Sequence, residues 1–264
     1  MSYSLSHEKH IEIAKILYEA KASIKPIKLL TETYPNLTID DAYAIQQEGL
    51  KINLNDGLTV VGRKIGITSR GMMKLLNCDS PDFGYLLSNT EVTEDNPFIR
   101  SSMNVPIVEG ELCFIFEEDL PNRHINSEDI ININPYVVPS FEICDARYPS
   151  WKVTILDTIS DNAGAAMFKL GKDKKRLNEI NPFNIGMVME KNGSLVGSGA
   201  GVEVMGSPIN SIVWLANKLF DYGTHIKAGD VVLSGAIIAA DPANQGDNYK
   251  MSMDGFEPIY LEVK

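Results

Sequence analysis

The apolar and polar positions of this chain change period along its length, and the changes mark out its elements. Residues 6 to 22 carry apolar side chains at helical spacing (Ile11, Ala14, Leu17, Tyr18), with Ser6 placed as the N-cap. Pro35-Asn36 breaks the chain. Thr38-Ile-Asp-Asp41 then has the form of a capping box, with Asp where Glu or Gln is usual, and opens a second helix running to about Leu54. Asn55-Asp56-Gly57 turns into an apolar strand from Leu58 to Ile65, and residues 66 to 84 read as loop and short helix before more strand.

Two further strands are predicted over 104 to 117 and 136 to 145. The text between them is polar, with a short helical stretch near Ser127 to Ile131. Ser207-Pro208 supplies an N-cap and a proline at the first helical position. Ile209, Ile212, Val213, Ala216, Leu219 and Phe220 follow as one stripe, and Gly223 ends the helix. Val231 to Gly235 and Pro258 to Val263 read as closing strands. Short helices followed by strand-rich text with interspersed helices predict an α+β fold around a strongly curved sheet. Residues 1–57 are expected to form an N-terminal helical region packed on a core of residues 58–264.

The most informative polar residues are those that break this apolar text. Val108-Glu109-Gly110-Glu111-Leu112 places two glutamates on one face of a strand, roughly 7 Å apart. Val108, Gly110, Leu112, Phe114 and Phe116 fill the other face, while Cys113 and Ile115 continue the glutamate face. Both faces therefore read as covered, as in a central strand. In the second strand Val137, Pro139, Phe141 and Ile143 share one face, and Val138, Ser140, Glu142 and Cys144 the other. An isolated Glu-x-Glu pair also fits an edge strand facing solvent. Three glutamates on covered strands instead call for something positive between them, and oxygen-only donors suit a hard divalent cation such as Mg²⁺ or Mn²⁺.

Composition narrows the class. The net charge of −11 argues against a nucleic-acid partner, and no apolar run approaches a membrane span, so a cytoplasmic protein is expected. Cys78, Cys113 and Cys144 are odd in number and read as reduced residues, and the four histidines are scattered, which disfavours zinc.

Three more segments are polar where the pattern is not. Gly62-Arg63-Lys64-Ile65-Gly66 sets a lysine in an apolar strand between glycines. It is either a snorkelling side chain or a partly desolvated amine of lowered pKa, usable in acid–base chemistry. Pro81-Asp82-Phe83-Gly84 has turn chemistry, and an Asp there is usually only a turn former. Asp157 to Asn162 reads as a polar cluster capping a helix that starts near Ala163.

Taken in order, Gly62-Arg-Lys-Ile-Gly-Ile-Thr-Ser69, Pro81-Asp-Phe-Gly-Tyr-Leu86, Glu109-Gly-Glu111, Phe141-Glu-Ile-Cys-Asp-Ala-Arg147, Asp157-Thr-Ile-Ser-Asp-Asn-Ala163, Gly199-Ala-Gly201, Trp214-Leu-Ala-Asn217 and Leu233-Ser-Gly235 resemble the 2-keto-4-pentenoate hydratases. These belong to the fumarylacetoacetate hydrolase superfamily. The resemblance runs from about Leu30 to the C-terminus.

It implies a mixed β-roll with N-terminal helices. It also implies Glu109, Glu111 and Glu142 as Mg²⁺ or Mn²⁺ ligands, Lys64 and Asp82 as proton-transfer or substrate-binding groups, and Ser160 near the substrate. The implied reaction is addition of water to 2-hydroxypenta-2,4-dienoate, giving 4-hydroxy-2-oxopentanoate, in meta-cleavage aromatic catabolism. A homo-oligomer is implied too, a ring of five or two stacked rings, with association to a decarboxylase of the same family.

The alternatives within the family are a 4-oxalocrotonate decarboxylase and a 2-oxohept-4-ene-1,7-dioate hydratase. A diacid calls for a second cation near its far carboxylate, for which Arg63 and Arg147 are the candidates. A C–C hydrolase of acylpyruvates would need a histidine base, which no histidine here resembles. Outside catalysis, the alternative is a scaffold subunit.

Overall fold

The computed structural model describes residues 2–264. Three helices come first: α1 (His7–Ser23), α2 (Leu30–Thr33) and α3 (Ile39–Asn55). Ser6 caps α1, and Thr38 and Asp41 complete the capping box of α3 with Asp in the role usually filled by Glu. Asp41 does more than cap. Its carboxylate is fully buried and accepts hydrogen bonds from the Ser4 and Leu5 amides at 3.0 and 3.1 Å, and it meets His10 Nε2 at 2.8 Å. One residue thus ties the N-terminal segment and α1 to α3. Ile13, Ala14, Leu17, Leu30, Leu37 and Ile45 pack together under these helices with Ala146 and Tyr148, while Ala42 and Tyr43 of α3 join the main core.

The rest alternates strands and short helices: β1 (Val60–Gly66), α4 (Arg70–Leu75), β2 (Asp82–Leu87), β3 (Ile107–Ile115), α5 (Ser127–Ile133), β4 (Tyr136–Cys144), α6 (Ile155–Ser160), β5 (Ala165–Leu170), β6 (Lys175–Arg176), β7 (Gly186–Lys191), β8 (Ser194–Ala200), α7 (Pro208–Asp221), β9 (Val231–Pro242), β10 (Asn248–Met253) and β11 (Ile259–Glu262). A seven-stranded sheet runs β2-β1-β9-β3-β4-β5, with β6 also on β4. A four-stranded sheet runs β11-β10-β7-β8. Among the strands of the described residues only β1 and β9 pair in parallel, beside one isolated parallel bridge between Glu91 and Phe168. The fold is a nearly closed, curled mixed sheet with N-terminal helices, as the sequence pattern predicts.

Three local expectations change. Pro81 to Gly84 is not a turn: Asp82 opens β2 and pairs with Gly66 across the β1–β2 ladder. The turn-forming residues are overridden by that antiparallel pairing. Asp157 to Asn162 does not cap a helix at Ala163. Asp157 sits inside α6, closing a capping box with Thr154 and holding α2 through Thr31. Asn162, Ala163 and Gly164 then take positive φ, turning the chain into β5. The strand beginning at Val231 extends to Pro242 and lies between β1 and β3, in the interior of the sheet.

Both faces of β3 are covered. Val108, Leu112 and Phe114 belong to the main core, while Cys113 packs with Leu86, Val138, Phe168 and Leu233 on the opposite side. Gly110 sits between the two glutamates because the second sheet presses there. A side chain at this position would strike the sulfurs of Met187 and Met251. The three cysteines are free. No helix among the described residues is long and apolar enough to cross a membrane.

Candidate active site

Glu109 and Glu142 are direct register partners across β3 and β4. Like charges opposite one another on paired strands repel, and burial removes the water that would screen them. Glu142 and Glu111 have no exposed surface. Glu111, two residues along β3 from Glu109, uses one oxygen to accept the Gly235 amide of β9 at 2.7 Å. Its other oxygen, Oε2 of Glu142 and Oδ1 of Asp82 are buried without a hydrogen-bond donor, and Glu142 Oε1 has only the Lys64 ammonium beside it. Oxygens orphaned in this way need a partner.

The positive charge at the site is Lys64. It is buried, and its Nζ lies 3.1 Å from Glu142 Oε1. The snorkelling alternative is therefore excluded. Burial pulls the ammonium down more than any single neighbour raises it, but the charges of Glu142, Cys144, Asp82 and Glu109 together outweigh it and hold Lys64 well above the usual lysine range. That reverses the lowered value expected from desolvation. Burial, then the Glu142 charge, pushes Glu109 up to about 7; the same causes push Glu111 well above the carboxylate range.

The strand order explains how these residues meet. β1 lies beside β9 and β2, which brings Lys64 and Asp82 to one end of the sheet. Gly66 keeps that place open, since a side chain there would collide with Asp82 Oδ1 and come 3.1 Å from Lys64 Nζ. Asp82 Oδ2 accepts the Thr158 hydroxyl of α6 at 3.0 Å, and burial raises the Asp82 carboxyl.

Lys64 pairs with Glu142, Glu109 faces Glu142 across β3 and β4 with Glu111 two residues on, and Asp82 and Lys64 meet beside Gly66. Ser160 lies elsewhere on α6. Its hydroxyl donates to Leu156 O at 2.8 Å, and it borders a cavity of about 70 Å³ beside Arg147 and Asn162. Thr158, two residues earlier, is the α6 side chain on Asp82. Sequence reasoning passed over it because Asp157 to Asn162 read as a cap.

It also passed over Cys144. The Sγ atom of Cys144 and carboxylate oxygens of Glu109 and Glu142 all lie within 4.8 Å of one another. Its place on the Glu142 face by strand alternation was the available signal.

Fully ionised, the three glutamates and Asp82 would set four negative charges against one on Lys64. Among the described residues the donors within 4.8 Å of one another are those of Glu109, Glu142 and Cys144, with Glu111 outside that group. The orphaned oxygens of Glu111, Glu142 and Asp82 fit a divalent cation, which would neutralise the excess and supply the missing partners.

No family model matches the chain. Among solved structures, 4-oxalocrotonate decarboxylase from Pseudomonas putida G7, complexed with magnesium and adipate, superposes with a TM-score of 0.94 at 30% identity, covering 100% of both chains. A protein from Yersinia pestis CO92 assigned to the fumarylacetoacetate hydrolase family superposes at 0.58 with 12% identity, covering 77% of this chain and 94% of that one, a likeness of fold alone. The class is thus the fumarylacetoacetate hydrolase fold.

Sequence relatives narrow it. A 2-hydroxyhexa-2,4-dienoate hydratase of Comamonas testosteroni is 37% identical, covering 90% of this chain and 91% of its own. A 2-keto-4-pentenoate hydratase of Paraburkholderia xenovorans (strain LB400) is 33% identical over 98% and 97%. The chain belongs to the 2-keto-4-pentenoate hydratase family, and its activity is that of a hydro-lyase.

Proposed function

We propose that this chain adds water to 2-hydroxypenta-2,4-dienoate to give 4-hydroxy-2-oxopentanoate, in the meta-cleavage breakdown of aromatic compounds. The observation that carries the reading is the buried Lys64–Glu142 pair set among orphaned carboxylate oxygens, in a chain whose relatives are dienoate hydratases. Glu109, Glu111 and Glu142 would hold Mg²⁺ or Mn²⁺. When bound, that cation supplies Lewis-acid stabilisation of the negative charge developing on the substrate's 2-oxygen.

The chain's own groups handle the protons. The dienol loses its hydroxyl proton and gains one at C5 as it ketonises. Water then adds at the electron-poor C4 while C3 takes up a proton. Lys64 and Asp82, which both border the open space at Gly66, are the two groups we assign to these transfers. Thr158 holds the Asp82 carboxylate in place.

Two cations favour a monoacid over a diacid substrate. Arg63 stacks 4.5 Å over the Tyr85 ring and donates to Gly62 O. Arg147 binds Asp161 through its guanidinium and its backbone amide. The charges near them are Asp230 for Arg63 and Asp161 and Asp145 for Arg147, none of them a carboxylate of the Lys64 site, so we assign neither cation to a second substrate carboxylate. This disfavours the 4-oxalocrotonate decarboxylase reading, which rests on the TM-score of 0.94, and the heptenedioate hydratase with it. We also read the chain as a homo-oligomeric ring that associates with a family decarboxylase, on the strength of the resemblance. Light scattering alone and with that partner tests this.

Incubating the purified chain with Mg²⁺ and each acid tests the reaction. Loss of diene absorbance with the monoacid, without CO₂, is expected. CO₂ release from 4-oxalocrotonate by this chain alone would overturn the hydratase reading. No turnover of the monoacid by a chain that stimulates a decarboxylase partner would favour the scaffold alternative.

A further inference from the structure

We propose that Cys144 contributes a sulfur donor to the divalent-cation site, giving this chain a mixed oxygen and sulfur site with a raised preference for borderline and soft metals over Mg²⁺. The proposal rests on the cation reading above and adds to it the chemistry of one donor.

Its basis is placement. Cys144 is two residues beyond Glu142 on β4 and on the same face. Opposite them, Ile107 and Glu109 are the register partners on β3. One donor atom from each of Glu109, Glu142 and Cys144 fits within 4.8 Å. That spacing suits ligands sharing one ion, since donors about 2.0–2.5 Å from a metal lie no more than about 5 Å apart. An independent feature points the same way. Glu142 is fully buried: its Oε1 meets only the Lys64 ammonium, at 3.1 Å, and its Oε2 has no hydrogen-bond donor.

The ordinary role of a buried cysteine is that of a small apolar side chain. Cys113 has that role, packed among Leu86, Val138 and Leu233. Cys144 belongs to no such cluster. Its thiol points at the Glu109 carboxylate, Sγ to Oε2 3.8 Å. A thiol there is poorly matched to apolar packing and well matched to a cation. On coordination it becomes a thiolate, its proton leaving to solvent, and the harder Mg²⁺ gains least from sulfur.

The test uses the full chain freed of metal by chelation. Titration with Co²⁺ should raise a near-ultraviolet sulfur-to-cobalt charge-transfer band that Cys144→Ser and Cys144→Val both lack. Equilibrium dialysis should show Cd²⁺ affinity falling about 10- to 100-fold in these variants, with Mg²⁺ affinity nearly unchanged. Co²⁺ uptake without the band, or an unchanged ratio of Cd²⁺ to Mg²⁺ affinity, would overturn the sulfur donor and leave the cation site standing. Failure of the wild-type chain to bind any divalent cation would overturn both.

Discussion

Lys64 and Glu142 form a buried ion pair, Nζ to Oε1 3.1 Å, between two strands that are not neighbours in the sheet. β9 and β3 lie between β1 and β4, so the pair spans the inner face of a curled sheet. Removing either partner leaves a buried charge unmatched, which typically costs about 3–5 kcal/mol. Lys64→Met should therefore lower the unfolding midpoint as well as abolish proton transfer. We expect turnover to fall about 10²- to 10⁴-fold, measured by loss of diene absorbance, with folding checked by circular dichroism.

Glu111→Gln should separate stability from function. The substitution keeps an acceptor for the Gly235 amide and removes one buried negative charge beside Glu109 and Glu142. In chelated protein the variant should melt no lower than the wild type, and it should gain less from added divalent cation. Thermal melts of both chains with and without Mn²⁺ check this.

Gly66→Ala should damage activity far more than stability. The new methyl meets Asp82 Oδ1 and Lys64 Nζ, the ends of two side chains, so the fold yields there and the reacting groups are displaced. A loss of about 100-fold in kcat is expected, with an unfolding midpoint close to wild type. Steady-state kinetics paired with a thermal melt decide it.

Thr158→Val removes the hydroxyl that Asp82 Oδ2 accepts while keeping the shape of α6. One lost hydrogen bond of about 1 kcal/mol predicts a several-fold fall in kcat with little change in KM. A rise in KM at constant kcat would instead make Thr158 a substrate-binding group.

Asp41 predicts the acid limb of stability. Burial raises its carboxyl, but hydrogen bonds from Thr38, His10 and Ser4 outweigh that and hold it well below the usual carboxylate range. A depressed native value means the stabilisation is present above the unfolded pKa of about 3.9 and is lost as pH falls below it. Asp41→Asn should destabilise the protein at pH 7 by about 1.5–3 kcal/mol and flatten its acid unfolding below pH 4. Chemical denaturation at a series of pH values measures both.

Much of this was legible in the sequence because strand alternation carries it. Glu109, Glu111 and Glu142 declare an inward face through their apolar neighbours, and Thr38 to Asp41 declare a helix start. What was not legible depends on partners distant in the chain. Asp82 looks like a turn residue until β1 pairs with it. Glu111 finds its donor at Gly235, 124 residues away. The raised Lys64 pKa follows from Glu142 at 3.1 Å together with Cys144, Asp82 and Glu109, and no local pattern predicts that β9 runs through the middle of the sheet.

On the proposed function, the carboxylates around Lys64 hold a divalent cation needed to hydrate a dienoate. The most direct measurement follows 2-hydroxypenta-2,4-dienoate by NMR with the chelated chain, before and after Mg²⁺ or Mn²⁺ is restored. The account predicts no conversion without the cation and 4-hydroxy-2-oxopentanoate as the sole product with it, with Glu109→Gln and Glu142→Gln inert under both conditions. Full conversion by the chelated wild-type chain would contradict it.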